Sequence, residues 1–449
     1  MQKVDILVIG GGPAGIISAV SARRYYKDKN IFMIKNVEKA VIPCGIPYMF
    51  KSLNDPEDNK LGNLVLEKNN IGFVVDEVTS IDKENKIVET KSGEKYSYEK
   101  LILAVGSKPI IPSIPGIEKE GVYPINKEMK YLKEVVEKIK KSKNVLIVGG
   151  GFIGIELADE LSKIEGLKVY LVELLPSLLA NSFDIEFSKE VQDKLISNGV
   201  NILIDTKVAK FEGDGHVEKV IFSNGGEILT DAVILGMGAI PNTDLAVKCG
   251  LEINHNKTIS VDEYMRTSNP DIFAVGDCAL KKDFYTRKAV SVMLASTATS
   301  EARIAGANLY NIKLIRENKG TIAAYSTYVD GLVLGSAGLT EASAIKEGFE
   351  IVTGFFEGVD KHPNSMPGVN KIKVKLVFAK RSGIILGGQV LGGMSCGEMI
   401  NIISVAVQQR MLASEFETLQ MATHPYLTTA PTMYPLVVAA QDAVNKLCK

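Results

Sequence analysis

Cys44 is the residue whose type and surroundings point most directly to chemistry. It stands in the stretch VIPCGIPYMF, residues 41–50, and no second cysteine lies within 200 positions of it. A helix that begins near Pro47 would place its positive end beside the sulfur, so we expect the pKa of the Cys44 thiol to lie below the usual value of about 8.5. The sequence therefore predicts a reactive thiolate without a nearby partner for an internal disulfide.

Two segments of the chain share one pattern, in which an apolar strand is followed by glycines spaced G-x-G-x-x-G and then by a helix-forming stretch. These glycines are Gly10, Gly12 and Gly15 in the first segment and Gly149, Gly151 and Gly154 in the second. Glycine permits the tight strand-to-helix turn and lets the backbone approach a pyrophosphate, whose charge meets the free N–H groups of the helix. One such match is weak, but two with the same flanking elements indicate two dinucleotide sites.

The residue at the end of the second strand of each unit indicates how the nucleotide ribose is held. Glu173 follows Gly149 by 24 residues, where a carboxylate accepts a hydrogen bond from the ribose 2′-hydroxyl and repels a 2′-phosphate. No arginine follows it within reach, so NADH is favoured over NADPH. In the first unit Lys35 stands where that acid is expected, and Glu38 is the nearest carboxylate. Either this ribose is held in another way or the loop shifts to use Glu38.

Two more apolar strands end in residues suited to a nucleotide site. The stretch YEKLILAVGSKP ends its strand at Ala104 and Gly106, and SNPDIFAVGDCAL ends its strand at Gly276 and Asp277. A carboxylate at a strand end can accept hydrogen bonds from the hydroxyl groups of a sugar alcohol chain.

The bulk composition excludes several classes of protein. With 449 residues the chain is too long for one hydrophobic core, and 46% hydrophobic and 23% charged residues are typical of a globular protein. The net charge of -1 and the absence of a Lys/Arg block argue against a nucleic-acid partner. The first residues lack the pattern of a secretory signal, and no apolar run approaches the ~18 residues of a membrane span. We therefore expect a cytoplasmic protein without a membrane segment.

The other four cysteines are spaced too widely for a zinc ribbon or a disulfide framework. Cys249, Cys278, Cys396 and Cys448 are expected to be free thiols that act as small buried hydrophobic residues. No metal site is expected.

These residues together resemble those of the two-dinucleotide-binding-domain flavoproteins of the pyridine nucleotide-disulfide oxidoreductase family, and the resemblance spans essentially the whole chain. It implies an α/β fold with two Rossmann-like dinucleotide-binding domains, for FAD and NAD, and a C-terminal α+β dimerisation domain. The implied limits are 1–114 and 253–318 for the two parts of the FAD domain, 115–252 for the NAD domain and 319–449 for the dimerisation domain. Alternating stretches such as KIKVKLVFAK predict an antiparallel sheet in the last domain, followed by helices.

The resemblance also assigns contacts to the two cofactors. The implied FAD contacts are Gly10, Gly12, Pro13, Ala14, Gly15, Lys35, Ala104, Gly106, Gly276 and Asp277, with Asp277 on the ribityl chain. The implied NADH contacts are Gly149, Gly151, Phe152, Ile153, Gly154, Glu173 and Gly238. The resemblance further implies a homodimer in which the tail of one subunit covers the flavin of the other.

Cys44 distinguishes this chain from the dithiol members of the family. Those reductases carry Cys-x-x-x-x-Cys, whereas Met49 stands five positions after Cys44 here, so no such disulfide can form. The chain is similar instead to the single-cysteine branch, which includes coenzyme A-disulfide reductases, polysulfide or persulfide reductases, peroxidases and NADH oxidases. The stretch CGIPY is similar to the motif of the first two groups, and Pro13 stands where peroxidases and many oxidases have a histidine.

Other departures bear on coenzyme A. Reductases of coenzyme A disulfide usually have Ser-x-x-Asn before the cysteine and a tyrosine ahead of a Pro-Gly in the last domain, where this chain has Ala40, Pro43 and Met366. These differences weaken a dedicated coenzyme A site. Arg24 on the first helix is a candidate anchor for a nucleotide phosphate, and a solvated arginine on a helix face is the alternative.

The candidate proton donors lie near the C-terminus. His424 in ATHPYLTTA is similar to the His-Pro segment of dithiol reductases, where the histidine reaches the active site of the partner subunit as an acid/base. The glutamate that usually follows is Thr429 here. Tyr426 and Tyr434 are the other candidates in the same segment.

We therefore expect an FAD-dependent oxidoreductase that passes a hydride from NADH through FAD to Cys44. Its substrate would be a small sulfur compound, namely a low-molecular-weight disulfide, persulfide or polysulfide, with coenzyme A disulfide among the candidates. An NADH oxidase that reduces oxygen is one alternative. A flavin-binding redox sensor with little turnover is the other.

Overall fold

The computed structural model describes residues 1–448 of the chain. Their secondary structure is organised around three five-stranded sheets, of which two are parallel and the third is antiparallel. Within the described residues, no helix is both long and apolar enough to cross a membrane.

The elements alternate between strand and helix through both parallel sheets. In chain order the strands are β1 Gln2–Lys3, β2 Ile6–Ile9, β3 Ile31–Lys35, β4 Ala40–Val41, β5 Lys60–Leu61, β6 Gly72–Val75, β7 Val78–Asp82, β8 Ile87–Thr90, β9 Lys95–Ser97, β10 Lys100–Leu103, β11 Ser107–Pro109, β12 Val122–Pro124, β13 Asn144–Val148, β14 Lys168–Val172, β15 Asn201–Leu203, β16 Val208–Glu212, β17 Lys219–Phe222, β18 Glu227–Leu229, β19 Ala232–Leu235, β20 Ala239–Pro241, β21 Ile272–Ala274, β22 Tyr325–Val329, β23 Leu332–Gly338, β24 Ile351–Val359, β25 Lys371–Ala379 and β26 Ile385–Gly392. The α-helices are α1 Pro13–Tyr25, α2 Leu64–Lys68, α3 Met129–Lys141, α4 Phe152–Ser162, α5 Ile185–Ser197, α6 Asp244–Lys248, α7 Ala295–Ala307, α8 Glu341–Lys346, α9 Cys396–Gln409, α10 Ala413–Phe416 and α11 Pro435–Leu447. Short 3-10 helices span Pro43–Gly45, Pro47–Phe50, Pro56–Asn59, Gly276–Cys278 and Pro431–Met433.

The first parallel sheet has the strand order β21-β10-β2-β3-β6. Its central strand β2 is apolar and buried on both faces, as expected for a sheet covered by helices on each side. Ile6 pairs with Ile31 on one side and with Lys100 on the other. Strand β21 joins this sheet only after the second sheet is complete, so the first unit is built from two separate parts of the chain.

The second parallel sheet has the order β12-β19-β13-β14-β15 and repeats the plan of the first. In each sheet the strand before the glycine loop, β2 or β13, lies between the strand that follows its helix and a strand from later in the chain. Strand-helix-strand units of this kind place the helix N-terminus at the carboxyl edge of the sheet. The predicted α/β fold with two Rossmann-like units is confirmed.

A two-stranded antiparallel ribbon of β11 and β20 forms where the chain passes from the first unit to the second and back. After β20, Ala246 and Leu251 already pack in the hydrophobic core of the first sheet. The sequence predicted that the second unit ends at residue 252. We propose instead that it ends earlier in the chain, near β20. The other domain limits stay predictions.

The C-terminal part forms the antiparallel sheet β22-β23-β26-β25-β24, on which α9 and α11 pack. Ile372 and Val374 of β25 are buried while Lys371 is exposed, in line with the alternating pattern of KIKVKLVFAK. The predicted antiparallel sheet followed by helices is confirmed.

An ionic cluster around the buried side chains of Lys375 and Asp184 joins this sheet to the second unit. Lys375 of β25 forms ion pairs with Asp184 at 3.1 Å, with Glu186 at 2.5 Å, and with Glu341. Asp184 also accepts a hydrogen bond from Gln389 Nε2 at 2.5 Å. Because a lysine ammonium fills the space among these three carboxylates, they serve as a junction between the two parts of the molecule.

Candidate active site

The first glycine loop has the shape that a bound pyrophosphate requires. Gly10 adopts φ +115, and a Cβ added to Gly15 would lie 1.9 Å from the carbonyl oxygen of Gly10. At Gly12 an added Cβ would meet nothing within 4 Å, and no side chain caps α1, which begins at Pro13. Free N–H groups therefore face open space at this helix end.

Lys35 is buried at the end of β3 and does not point to solvent. Its Nζ donates to the Glu38 carbonyl oxygen at 2.9 Å and to Asn63 Oδ1 at 2.7 Å. Burial lowers the pKa of this amine. The Glu38 side chain is exposed. The contacts of Lys35 therefore agree with either prediction for the first ribose: that Glu38 binds it, or that it is held in another way.

Asp277 lies at the carboxyl edge of the first sheet, where a ribityl chain was predicted to bind. Its Oδ2 accepts hydrogen bonds from Ser107 Oγ at 2.7 Å and from Lys127 Nζ at 3.1 Å. Burial opposes ionisation of this carboxyl, but Lys127 and Ser107 outweigh burial and hold its pKa below the usual range. Sequence reasoning missed both partners, because neither belongs to a recognisable motif.

A second pair that the sequence did not reveal holds the turn at Gly276. The buried Lys281 Nζ donates to the Gly276 carbonyl oxygen at 2.6 Å, and Glu301 Oε2 accepts from the Gly276 N–H at 2.9 Å. Lys281 and Glu301 also form an ion pair of 3.0 Å. Ala104 and Gly106 follow the neighbouring strand β10, so the four predicted residues of these two strand ends share one edge of the sheet.

The second glycine loop repeats the geometry of the first. Gly149 adopts φ +110, and a Cβ added to Gly154 would lie 1.8 Å from the Gly149 carbonyl oxygen. Gly151 has open space around it, and α4 begins at Phe152 without a side-chain cap. The ring of Phe152 stacks on Tyr325 of the C-terminal sheet, with 4.8 Å between ring centroids.

Glu173 follows β14 directly and lies against this loop. Its Oε2 accepts from the Gly150 N–H at 2.5 Å and its Oε1 accepts from the Leu175 N–H at 2.7 Å. Gly238, which follows β19 with φ +83, has nothing within 4 Å of an added Cβ. The residues of the two loops thus fit two dinucleotides, and the individual contacts stay predictions.

Cys44 lies in a 3-10 helix, Pro43–Gly45, and is exposed. The predicted helix near Pro47 is a second 3-10 helix that ends at Phe50, too short to develop the expected dipole. Although the residue is exposed, its sulfur is partly surrounded by protein; this partial burial and the nearby Glu156 raise the pKa of the Cys44 thiol, while Lys127 opposes them. The expectation of a pKa lowered by a helix is therefore wrong for the protein alone.

The five cysteines are free thiols. Cys278 and Cys396 are buried as predicted, and burial raises the pKa of Cys278 to about 11 and that of Cys396 to about 12. Cys249 is half-buried, and Cys448 is exposed instead of buried because it follows the last turn of α11.

The candidate proton donors are placed very differently. His424 and Tyr426 are exposed, their rings stack at 6.3 Å, and His424 Nδ1 accepts from the Tyr426 N–H at 3.3 Å. Tyr434 packs in the core of the C-terminal part, and burial raises its pKa. Tyr434 is therefore the least suitable donor of the three, while His424 and Tyr426 are available to another molecule.

Helix α4 carries three acidic residues next to the cysteine segment that sequence reasoning did not single out. Glu160 accepts hydrogen bonds from the N–H and the hydroxyl of Ser52, both at 2.7 Å. Glu156 accepts from Thr327 Oγ1 at 2.8 Å, and burial raises its pKa to about 7. Asp159 pairs with Lys163 at 2.8 Å. Three acidic residues within five positions of an otherwise apolar helix were the signal in the sequence that could have identified these residues.

Comparison with known proteins agrees with this architecture. Residues 4–302 match the model of the family described as "Pyridine nucleotide-disulphide oxidoreductase", and residues 325–434 match its dimerisation domain. The chain therefore belongs to the pyridine nucleotide-disulphide oxidoreductase family, whose members are FAD- and NAD(P)H-dependent flavoproteins.

Individual relatives narrow the class of enzyme. An NADH oxidase of Methanocaldococcus jannaschii is 32% identical over 463 residues, which cover 98% of this chain and 99% of that protein. An NAD(P)H coenzyme A polysulfide/persulfide reductase of Pyrococcus horikoshii is 30% identical and covers 98% of each chain. The solved structure of an NAD-dependent persulfide reductase from A. fulgidus superimposes with a TM-score of 0.91 at 28% identity, over 98% of this chain and 83% of that one. The protein is an NAD(P)H-dependent flavoprotein oxidoreductase.

Proposed function

We propose that this protein is an NADH-dependent reductase of low-molecular-weight disulfides, persulfides or polysulfides. The observation that carries the proposal is that Cys44 is an exposed thiol without a cysteine partner, and that its charged surroundings include Lys127, which pairs with Asp277 at the edge of the first sheet. Met49, at the position of the second cysteine in dithiol members, is buried in the core. An external sulfur atom is therefore the partner that Cys44 can engage.

The chemistry requires a thiolate that attacks one sulfur of an S–S bond. Cys44 would form a mixed disulfide, and the expelled thiolate would take a proton and leave as a thiol. FAD, when bound, would relay the two electrons of NADH that restore the thiol. The overall reaction NADH + RSSR + H⁺ → NAD⁺ + 2 RSH balances in atoms and electrons.

Coenzyme A disulfide is one candidate substrate. The Arg24 guanidinium is exposed and has no hydrogen bond or ion pair with any other residue in 1–448, whereas Arg23 is tied to backbone carbonyl oxygens such as that of Asn69. A free guanidinium is suited to bind a phosphate. Met366 in place of a tyrosine argues in the other direction, so a coenzyme A substrate is proposed together with simpler sulfur compounds.

A homodimer would complete the site. The segment that carries His424 and Tyr426 is exposed, and Leu427 and Met433 expose apolar side chains in the same region. The residues named here lie within the part of the chain that matches the family's dimerisation domain, residues 325–434. We propose that it covers the flavin of the partner and that its histidine or Tyr426 donates the proton.

NADH oxidase activity is the second candidate function. The M. jannaschii relative named NADH oxidase favours this function. Pro13 argues against it, because many oxidases carry a histidine at this position of the glycine loop. A redox sensor with little turnover would differ from both, since no acceptor would oxidise its reduced flavin rapidly.

A Cys44→Ser variant tests the proposal, with Cys448→Ser as the matched control because Cys448 is the other exposed cysteine. Under anaerobic conditions Cys44→Ser should reduce bound FAD with NADH at the normal rate but should lose reduction of polysulfide and of coenzyme A disulfide. An unchanged rate of sulfur reduction in this variant would refute the proposal. If only oxygen oxidises the reduced flavin of the unmodified protein, the oxidase reading replaces it.

A further inference from the structure

Lys281 and Glu301 form a buried ion pair beside the turn that carries Asp277. Their side chains are 4% and 1% exposed, and Lys281 Nζ lies 3.0 Å from Glu301 Oε2. Lys281 comes shortly after the 3-10 helix Gly276–Cys278, whereas Glu301 lies on α7. Taking two charges out of water is costly, and a pair of apolar side chains of similar volume is often at least as stabilising. Stability alone therefore does not account for this ion pair.

The pair binds both backbone polar groups of one glycine. Lys281 Nζ donates to the Gly276 carbonyl oxygen at 2.6 Å, and Glu301 Oε2 accepts from the Gly276 N–H at 2.9 Å. The same ammonium group donates to the Ala279 carbonyl oxygen at 3.0 Å. In the described part of the chain Glu301 Oε1 accepts no hydrogen bond, so Gly276 and Lys281 are the groups that orient this carboxylate. The backbone immediately before Asp277 is therefore held at its N–H and at its carbonyl group.

The turn at Gly276 also lies against the first glycine loop. Gly276 adopts φ +76, and a Cβ added to it would lie 2.9 Å from the Cβ of Ala14, the second residue of α1. Helix α7 packs on α1 at short range, because a Cβ added to Gly306 would lie 2.7 Å from the Ser18 carbonyl oxygen. Glu301 thus reaches the turn from a helix that is itself packed on α1.

These contacts join two parts of the first unit that are far apart in the chain. The glycine loop and α1 lie at its start, whereas Gly276 and Asp277 follow β21, which enters the sheet only after the second unit is complete. The loop is predicted to bind the pyrophosphate of FAD, and Asp277 is predicted to bind its ribityl chain. One ligand of fixed length must reach both parts, so their relative position has to be maintained by residues around the site.

We propose that Lys281 and Glu301 are positioning residues for FAD, which hold the Asp277 turn in place relative to the first glycine loop. Neither side chain needs to touch the cofactor, since both act through the backbone of Gly276. Loss of either side chain leaves one backbone group of Gly276 without its partner and lets the turn move away from α1. The inference rests on the assignment of FAD to the first glycine loop and does not depend on the electron acceptor.

The test is the dissociation constant of FAD, measured from the flavin fluorescence that appears when the holoprotein is diluted. Lys281→Met and Glu301→Met each remove a hydrogen bond between Gly276 and a charged group, so each should raise this constant about tenfold or more. Glu301→Gln should raise it clearly less than Glu301→Met, because its amide oxygen still accepts from the Gly276 N–H. The KM for NADH, measured with excess FAD, should stay within about twofold in all three variants.

The double variant Lys281→Met/Glu301→Met separates positioning from charge balance. Each single substitution to methionine leaves one buried charge without its partner, and the double substitution leaves none. Under the proposal Gly276 lacks both partners in the double variant, so its FAD affinity should be no higher than that of the weaker single variant. FAD affinity that recovers in the double variant, or that is equal in Glu301→Gln and Glu301→Met, would show that the pair only balances charge and would overturn the proposal.

Asp271→Asn is the matched control, because it breaks ion pairs at the opposite edge of the same sheet. Asp271 directly precedes β21 and pairs with Lys86 at 2.5 Å and with Lys100. The FAD dissociation constant should change less than about twofold in this variant. An equal loss of FAD affinity in Asp271→Asn would mean that any damage to this sheet releases FAD, and it would refute a specific positioning role. If the single variants do not fold, the double variant decides, and unchanged FAD affinity there refutes the proposal as well.

This test and the test of the proposed function can fail separately. Release of FAD requires neither Cys44 nor a sulfur substrate, so the positioning role can stand when Cys44→Ser keeps its sulfur reduction. Conversely, a protein that needs Cys44 for sulfur reduction can still bind FAD equally well without the ion pair.

Discussion

The two glycine-loop units have nearly the same turn and different strand ends. The first and last glycines of each loop approach so closely that an added Cβ on Gly15 or Gly154 would lie within 2 Å of a carbonyl oxygen, at 1.9 Å and 1.8 Å. In the first unit the strand after the helix ends at the buried Lys35, which donates to Asn63. In the second unit the corresponding strand is followed by Glu173, whose carboxylate accepts from two backbone N–H groups. We propose that the common part serves the pyrophosphate, which both dinucleotides have, and that the differing part faces the nucleoside.

The largest effects are expected from the glycines that close each turn. Gly15→Ala should lower the FAD content of the purified protein to about a tenth or less, because a Cβ forces the loop apart. Gly154→Ala should leave FAD bound and raise the KM for NADH more than about tenfold. The measurements are the ratio of flavin to protein absorbance and the rate of flavin reduction.

Gly62→Ala is the control for both variants, because an added Cβ meets nothing within 4 Å there and the backbone needs no left-handed conformation. If Gly15→Ala keeps its FAD and loses NADH binding instead, the assignment of the two loops to the two cofactors is wrong.

A smaller effect should follow from changing the strand end of the second unit. Glu173→Ser removes the carboxylate that repels a 2′-phosphate, so kcat/KM for NADH should fall about tenfold and the ratio of NADPH to NADH activity should rise by more than that. Glu165→Ser, at an exposed glutamate of the same unit, should change neither value. Equal losses with both nucleotides in Glu173→Ser would show that this residue supports the loop without selecting the ribose.

The smallest effect is expected at the strand end of the first unit. Lys35→Met keeps an aliphatic chain against the loop and removes two hydrogen bonds, so the free energy of unfolding should fall by about 1–2 kcal/mol. FAD should be retained if the ribose is held by other groups. A loss of FAD comparable with that of Gly15→Ala would instead make Lys35 part of the binding site.

The parts of the molecule that were predictable are those whose cause is local. The close approach of the first and last glycines in each turn spans six residues, and the antiparallel C-terminal sheet follows from alternation along β25. The helix expected near Pro47 is present as a 3-10 helix of four residues, and Ser52 just beyond it donates to Glu160, 108 positions away. No pattern near Cys44 contains that contact.

The electrostatics of the candidate site depended most on distant partners. Thr327 reaches Glu156 across 171 positions, and Ser107 reaches Asp277 across 170. We expected a local helix to lower the pKa of the Cys44 thiol, whereas partial burial and Glu156 raise it in the folded protein. Desolvation and Coulomb interactions depend on what surrounds a group in space, which the neighbouring sequence does not state.

The sequence by itself determined the two strand-turn-helix units, the solitary thiol and the family to which they point. The spacing of residues along the chain sets the glycine turns and the alternation of buried and exposed positions, and it shows that Cys44 has no cysteine near it in sequence. Only the tertiary structure decided that acids of α4 lie against the cysteine segment and that Lys127 and Ser107 hold Asp277. The physical reason is that charge and burial act through space, and the residues concerned meet only when separate units pack together.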